Sequence, residues 1–328
     1  MREIARACAR LRRLVDAAEL DRRLGERLRR RRLPDAFLYV GEDGAGNWLA
    51  LDASREFDVA SRLTELLRRA AGDVAGRVPA GAALLAIGAG DGAKERLLLE
   101  ALAPRGTRRY VTADVSEPMV ARALDAVADL DVEATGVVAF CEDLPGFRDE
   151  AGSPALMCLL GNNVCNYEPD ALLGLLGRAC GPEDAVLFDC HLLPADGAAR
   201  RRWREHVEQA YRSPANVRFN LGPLVRRGLD PDRAEFRLDL VRAQTPAGPA
   251  VRTRKEIRIL DDASLDVPGG PVALRAGETF EMGFTYKYEL GQVRRLLARH
   301  GFEVRAEHAD PSGEYVVVLA GTGGRQRS

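Results

Sequence analysis

Among its 328 residues the chain has no Cys-x-x-Cys pair and no His-x-x-x-His pair. Its four histidines (His191, His206, His300 and His308) lie far apart in sequence, so the usual zinc spacings are missing and no metal site is expected. The six cysteines (Cys8, Cys141, Cys158, Cys165, Cys180 and Cys190) are scattered. Several fall in apolar runs such as Leu156-Met157-Cys158-Leu159-Leu160 and read as small buried hydrophobes, not bridges. Excess charge is lacking too. Lys+Arg 48 against Asp+Glu 49 leaves a formal net charge of -1, so no whole-molecule field draws the chain to nucleic acid or to an anionic membrane. Residues 1–14 alternate charged and apolar side chains with no long apolar core, which fits neither a signal peptide nor a membrane span. A cytoplasmic protein follows, monomer or homodimer, with a small-molecule substrate and neither nucleic acid nor membrane as partner. No internal repeat is evident.

What is present is 46% hydrophobic and 30% charged residues, enough to bury a sizeable core. The chain opens with helical spacing over residues 2–30, where Leu11, Val15 and Ala18 recur between arginines. Those arginines (Arg12, Arg13, Arg22, Arg23 and Arg29 to Arg32) are either a basic patch or the wet face of a helix. Pro34 ends the run, residues 41–46 read as irregular, and Phe57, Leu63, Leu67 and Ala70 share one face of a further helix.

From residue 83 short apolar runs alternate with helical segments. Strands are expected at 83–87, 110–113, 137–140, 156–160 and 185–188, with helices at 93–102 and 169–179. This rhythm indicates an α/β fold, a mostly parallel sheet with helices on both faces, which binds ligands beyond the carboxyl ends of its strands. After residue 195 the rhythm breaks into two arginine-rich helices (198–212, 216–227) and two alternating strands (236–241, 253–260), as an inserted α+β lid would read. Helix 290–299 and strands 302–306 and 315–320 then close the sheet with an antiparallel terminal hairpin, leaving 321–328 as a loose tail. The expected organisation is an N-terminal helical segment (1–75), a Rossmann-like domain (76–194 with 287–322) and an inserted substrate-binding domain (195–286).

The strongest local signal is Gly88-Ala89-Gly90-Asp91-Gly92 between a strand and a helix, where glycine lets the backbone approach a nucleotide-bearing ligand. Written Gly88-x-Gly90-x-x-Ala93, it equally fits a dinucleotide site. Asp114, ending the second strand, is placed to accept from both hydroxyls of a ribose. Either Glu142 or Asp143, after the third strand, is a candidate reader of adenine. Gly161-Asn162-Asn163-Val164-Cys165-Asn166-Tyr167 follows the fourth strand and is too polar for a packing turn.

That last stretch resembles the Gly-Ser-x-x-Gly-Asn-Phe-x-Pro loop of the histidine Nα-methyltransferases of ergothioneine biosynthesis. Gly88-Ala-Gly90-Asp-Gly-Ala-Lys94-Glu-Arg96-Leu-Leu-Leu, Tyr110-Val-Thr-Ala-Asp114-Val-Ser, Ala210-Tyr211, Phe219-Asn220 and Thr285-Tyr286-Lys287-Tyr288 are similar to further segments of that family, in the same order. The resemblance implies a class I methyltransferase sheet, with S-adenosylmethionine held by Gly88, Ala89, Gly90, Lys94, Asp114, Glu142 or Asp143, Gly161 and Asn162. It implies Asn166, Tyr211 and Thr285 as catalytic residues facing the substrate, with Asn163, Phe219, Gly283 and Tyr286 completing the substrate site.

Three departures accompany it. Gly283 stands where that family has a glutamate holding the substrate imidazole, which argues against histidine as substrate. The acid usual two residues before the first glycine is Ala86, and the aspartate expected after the third strand falls on Ala139. The expected function is N-methylation of a small polar or heteroaromatic metabolite, in specialised metabolism. The alternatives are an NAD-dependent oxidoreductase, with His191 as the nearest nicotinamide partner, and a non-catalytic S-adenosylmethionine-binding regulator. A nucleic-acid methyltransferase is disfavoured, since no Asn/Asp-Pro-Pro-Tyr/Phe loop follows the fourth strand.

Overall fold

The computed structural model describes residues 10–323. Arg10–Arg13 (β1) is a strand, and Ala17–Arg29 (α1) a helix whose Asp16 cap accepts from Glu19 N at 2.8 Å. The helical reading of residues 2–30 is therefore corrected at its start. Residues 10–13 pair in parallel with a neighbouring strand, from Arg10↔Thr135 to Arg13↔Val138, and sheet pairing overrides the local periodicity. Cys8 and the rest of residues 1–9 lie outside the described residues. Most of the arginines here have partners: Arg12 pairs with Glu150, Arg13 with Glu117, Arg22 and Arg23 with Glu19, and Arg31 with Glu278, while Arg29 donates to the carbonyls of Pro268 and Gly270. They thus solvate a face instead of forming a free basic patch.

Arg32–Leu33 (β2) leads to Gly41–Asp52 (α2) and Val59–Arg77 (α3). The irregular reading of 41–46 is corrected, because this stretch is the first half of α2. A Cβ at Gly44 would lie 2.6 to 2.9 Å from backbone atoms of Leu38 and Tyr39, so glycine lets the helix fold back onto the preceding turn.

The alternating region follows as Ala83–Ile87 (β3), Ala93–Leu102 (α4), Arg109–Asp114 (β4), Glu117–Asp125 (α5), Glu133–Val138 (β5), Ala155–Leu159 (β6), Pro169–Ala179 (α6) and Ala185–His191 (β7). Next come Gly197–Tyr211 (α7), Pro214–Val225 (α8), Ala234–Thr245 (β8), Gly248–Ile259 (β9), Ala263–Leu265 (β10), Val272–Leu274 (β11), Thr279–Met282 (β12) and Tyr286–Lys287 (β13). Leu290–Arg299 (α9), Phe302–Ala309 (β14) and Tyr315–Thr322 (β15) end the described chain. Gly321 and Thr322, read as loose tail, belong to β15, where Gly321 pairs with Ala185. Residues 324–328 of that tail lie outside the described residues.

The main sheet runs β1-β5-β4-β3-β6-β7-β15-β14, parallel except for β15, which is antiparallel to both β7 and β14. Strand order reverses at β3, between β4 and β6, and such a switch point opens a crevice beyond the carboxyl ends. Both faces are apolar. Leu85, Val111, Met157 and Phe188 pack on one side, and Leu84, Tyr110, Leu156 and Leu187 on the other. Cys141, Cys158, Cys165, Cys180 and Cys190 are buried and free. Among the described residues no helix is long and apolar enough to cross a membrane.

A second sheet runs β13-β9-β12-β2, with β8 also pairing β9. β2 joins it parallel to β12 through Met282↔Leu33, which carries the residues just after β2 to the main crevice.

Candidate active site

The turn from β3 into α4 holds Gly88 and Gly90 at φ of +72° and +61°, a region that disfavours any side chain. At Gly88 a Cβ would also lie 2.7 Å from Asn163 Nδ2, whereas at Gly90 the nearest atom would be Trp48 Nε1 at 4.0 Å. Gly90 therefore leaves open space. A cavity of about 340 Å³ lies over this turn, and it is lined by Gly88, Ala89, Gly90, Lys94, Asp114, Glu142, Gly161, Asn163 and Asn166. Asp35, Tyr39, Trp48, Gly283 and Phe284 are also among its walls.

Asp114 Oδ1 accepts from Ser116 N at 2.9 Å. Burial pushes this carboxyl up to about 6, against hydrogen bonds from the backbone N–H of Ser116, Gly90 and Val115. Burial also acts to lower Lys94, but the carboxylates of Glu95, Asp52, Asp91 and Asp189 outweigh it and hold the ammonium above its ordinary range. The choice between the two acids after the third strand becomes concrete. Glu142 lines the cavity, while Asp143 Oδ2 accepts from Phe140 N at 3.1 Å and lies off it. Asp143 is thus not brought to the cavity: one of its oxygens caps its own turn.

The amide-rich loop is tied down at both ends. Asp189, fully buried on β7, accepts from Gly161 N at 2.7 Å and Asn162 N at 2.9 Å, and burial pushes its carboxyl up to about 6. Asn163 Nδ2 donates to Gly88 O at 3.2 Å and Leu160 O at 2.9 Å, coupling this loop to the glycine turn. Asn162 is not in the first cavity. Its Oδ1 accepts from His191 N at 2.9 Å, and the residue borders a second, smaller cavity of about 80 Å³.

That second cavity is lined by Tyr211, Phe219, Thr285, Lys287, His191 and Lys255, and it shares Asp35, Tyr39, Trp48, Gly161 and Asn166 with the first. Thr285 Oγ1 donates to Asn166 Oδ1 at 2.8 Å. Burial pushes the Tyr211 phenol up to about 12, with Thr285 opposing. The structure thus brings Asn166, Tyr211, Thr285 and Phe219 to one place. Tyr286 is not there. Its hydroxyl donates to Glu168 Oε2 at 3.1 Å and its ring packs on Phe284 and Tyr288, because residues 285 and 286 point to opposite sides of an extended segment.

His191 is enclosed. Trp203 Nε1 donates to its Nε2 at 3.0 Å, Lys287 Nζ lies 3.1 Å from its Nδ1, and its ring stacks on Tyr315 at 4.4 Å. Both ring nitrogens are occupied, so no imidazole edge is left for a nicotinamide.

Sequence reasoning missed Asp35, Trp48 and Lys255. Trp48, one of only two tryptophans, meets Tyr39 edge-on at 5.3 Å and Phe219 at 5.5 Å. Lys255 carried a visible signal: it falls in phase with Ile257 and Ile259 on the buried side of a strand.

Comparison with known proteins gives a family match over most of the chain. The model of a family described as histidine-specific methyltransferase, SAM-dependent, matches residues 18–322. No curated protein matches the chain. Solved structures are similar at low identity. An S-adenosylmethionine-dependent methyltransferase from Clostridium acetobutylicum is 10% identical, covering 80% of this chain and 92% of that one, with a TM-score of 0.40. Magnesium protoporphyrin IX methyltransferase from Synechocystis, with bound SAH, is 12% identical over 87% and 97%, with a TM-score of 0.45. The sugar N-methyltransferase KedS8 from a Streptoalloteichus species is 15% identical over 84% and 93%, with a TM-score of 0.41.

Proposed function

The chain belongs to the histidine-specific, SAM-dependent methyltransferase family, and from that premise we propose that it N-methylates a small polar or heteroaromatic metabolite other than histidine. It is an enzyme of the methyltransferase class with a class I sheet, and its cofactor is S-adenosylmethionine. In this reading the NAD alternative and the regulatory one are set aside, and residues 195–286 form the substrate-binding lid over the Rossmann-like part.

The first cavity fits the cofactor. Gly90 presents bare backbone, and the half-buried Asp114 carboxylate offers the acceptor that two ribose hydroxyls need. Gly88, Ala89, Lys94, Glu142 and Gly161 are proposed to hold it with them. When bound, S-adenosylmethionine supplies a methyl group on a sulfonium, already an excellent leaving group. The protein's task is then alignment, and near-attack geometry alone supplies about 7–11 kcal/mol.

The observation that carries the reading is the junction of the two cavities at Asn166 and Gly161, with Thr285 and Tyr211 beside it. Asn166 and Thr285, already hydrogen-bonded, are proposed to aim the nucleophile's lone pair, with Tyr211 as a second hydroxyl and Asn163 and Phe219 as walls. Burial disfavours a charged nitrogen, so the reacting amine or ring nitrogen is presented neutral. Support for a substrate other than histidine is the absence of the family's glutamate at Gly283, which leaves the substrate to be held from a different segment.

The test is incubation of the full chain with methyl-¹³C S-adenosylmethionine and a panel of amines and nitrogen heterocycles, histidine included. NMR of the product is expected to place the labelled methyl on nitrogen. A label on oxygen or carbon rejects the nitrogen assignment, and histidine as the best substrate rejects the exclusion.

A further inference from the structure

Asp35 stands where the two cavities meet and lines both. Lys255 Nζ binds its carboxylate bidentately, at 2.6 and 2.7 Å, and only 5% of the lysine side chain and 18% of the aspartate side chain are exposed. Two chain segments meet to build this pair. Asp35 follows β2, which is fixed to β12 by pairing and by Gly283 N donating to Leu33 O at 3.1 Å, while Lys255 points inward from β9.

Position 283 makes the arrangement possible. A Cβ there would overlap the Asp35 carboxylate, whose atoms are its three nearest neighbours. Gly283 is not among the residues at positive φ, so glycine is needed here for space and not for backbone conformation.

A buried ion pair is costly to desolvate, and apolar residues would hold β2 against β9 as well. Its place on the wall common to both cavities therefore asks for a ligand. A carboxylate offers about four acceptor directions over two oxygens, and one ammonium does not exhaust them. Beside it stand Tyr39 and Trp48, and Phe219 lies 5.1 Å from Tyr39. Aromatic faces next to a carboxylate suit a cation.

We infer that Asp35, seated by Lys255 in the space Gly283 leaves, is the specificity-determining residue of the substrate site, and that it receives a positively charged N–H group of the substrate. The inference rests on the cofactor and substrate cavities being assigned as above. The charged group is the handle and not the methyl acceptor, which is a separate, neutral nitrogen. The substrate class is thus an organic ammonium carrying a second nucleophilic nitrogen.

The test uses the full chain loaded with S-adenosylhomocysteine and two matched probes, tyramine and 3-(4-hydroxyphenyl)propionate, followed by saturation-transfer NMR at pH 7.5. The wild type is expected to favour tyramine by about tenfold or more, and Asp35→Asn to reduce that ratio to within about threefold. Gly283→Ala is expected to weaken tyramine several-fold by displacing the carboxylate. The double variant Asp35→Ala with Gly283→Glu returns a carboxylate to the same space and is expected to regain the preference. Equal binding of the two probes by the wild type, or a preference that survives Asp35→Asn, overturns the inference. Should Asp35→Asn lose S-adenosylhomocysteine as well, the double variant decides: preference regained supports the inference, preference absent overturns it. Failure of the wild type to bind S-adenosylhomocysteine defeats the cavity assignment itself, and the inference falls with it.

Discussion

The Thr285 hydroxyl donates to Asn166 Oδ1 at 2.8 Å across 119 residues of sequence. One bond thus ties the segment before β13 to the loop after β6, and it fixes which way the Asn166 amide faces. Thr285→Val removes the donor and keeps the shape. Methyl transfer is expected to slow by about tenfold, equivalent to about 1.4 kcal/mol, with the loss in kcat. Calorimetry is expected to find the affinity for S-adenosylhomocysteine within about twofold of wild type, and Thr285→Ser is expected to recover most of the rate. An equal loss of cofactor affinity contradicts a role on the substrate side.

The Asp114 carboxyl, pushed up to about 6 by burial, gives cofactor binding a pH dependence. Ribose hydroxyls donate to the ionised form, so binding favours that form and lowers its pKa. Affinity for S-adenosylhomocysteine is therefore constant above about pH 6 and falls about tenfold per unit below it, down to the pKa of the complex. Titrations at pH 5, 6, 7 and 8 check this, and Asp114→Asn is expected to flatten the profile.

Glu95 is 1% exposed, its Oε2 lacks a hydrogen-bond partner, and burial pushes it up to about 7. Its folded pKa lies above the unfolded value, so its contribution to stability is fully present below about pH 4 and is lost as pH rises through 7. Glu95→Gln keeps the shape without the charge. It is expected to stabilise the protein at pH 8 by on the order of 1–3 kcal/mol and to change little at pH 4, as urea unfolding would read.

Asp189 accepts two backbone N–H groups, from Gly161 and Asn162, where no water reaches its side chain. An asparagine has one oxygen to offer, so Asp189→Asn leaves one donor unmet. A loss of about 1–3 kcal/mol in urea unfolding is expected. Because this loop walls both cavities, cofactor affinity and turnover are expected to fall together, unlike the outcome for Thr285.

Much of this was legible in the sequence. The strand, glycine turn and helix over 83–102 announced themselves because an apolar run, glycines and a 3.6-residue period are local signals. Asn166, Tyr211 and Thr285 were legible as polar groups in recognisable surroundings, and the structure gathers them. What escaped depends on long-range pairing. β1 is a strand only because β5 lies beside it, and α2 is a helix despite its glycines because Gly44 packs on Leu38 and Tyr39. The Asp35–Lys255 pair joins residues 220 apart, and neither position alone says that the other fills the space above Gly283. The resemblance places Tyr286 in the site along with Thr285, but adjacent residues of an extended segment face opposite ways.

The central claim is that the cavity over Gly88 and Gly90 holds the adenosyl cofactor through Asp114. It is tested most directly by calorimetric titration of the full chain and of Asp114→Ala with S-adenosylhomocysteine, with NADH in parallel. The expected result is binding at about 1–10 micromolar to the wild type, at least about 30-fold weaker in the variant, and no heat from NADH. Undiminished binding by Asp114→Ala, or binding of NADH alone, contradicts the assignment.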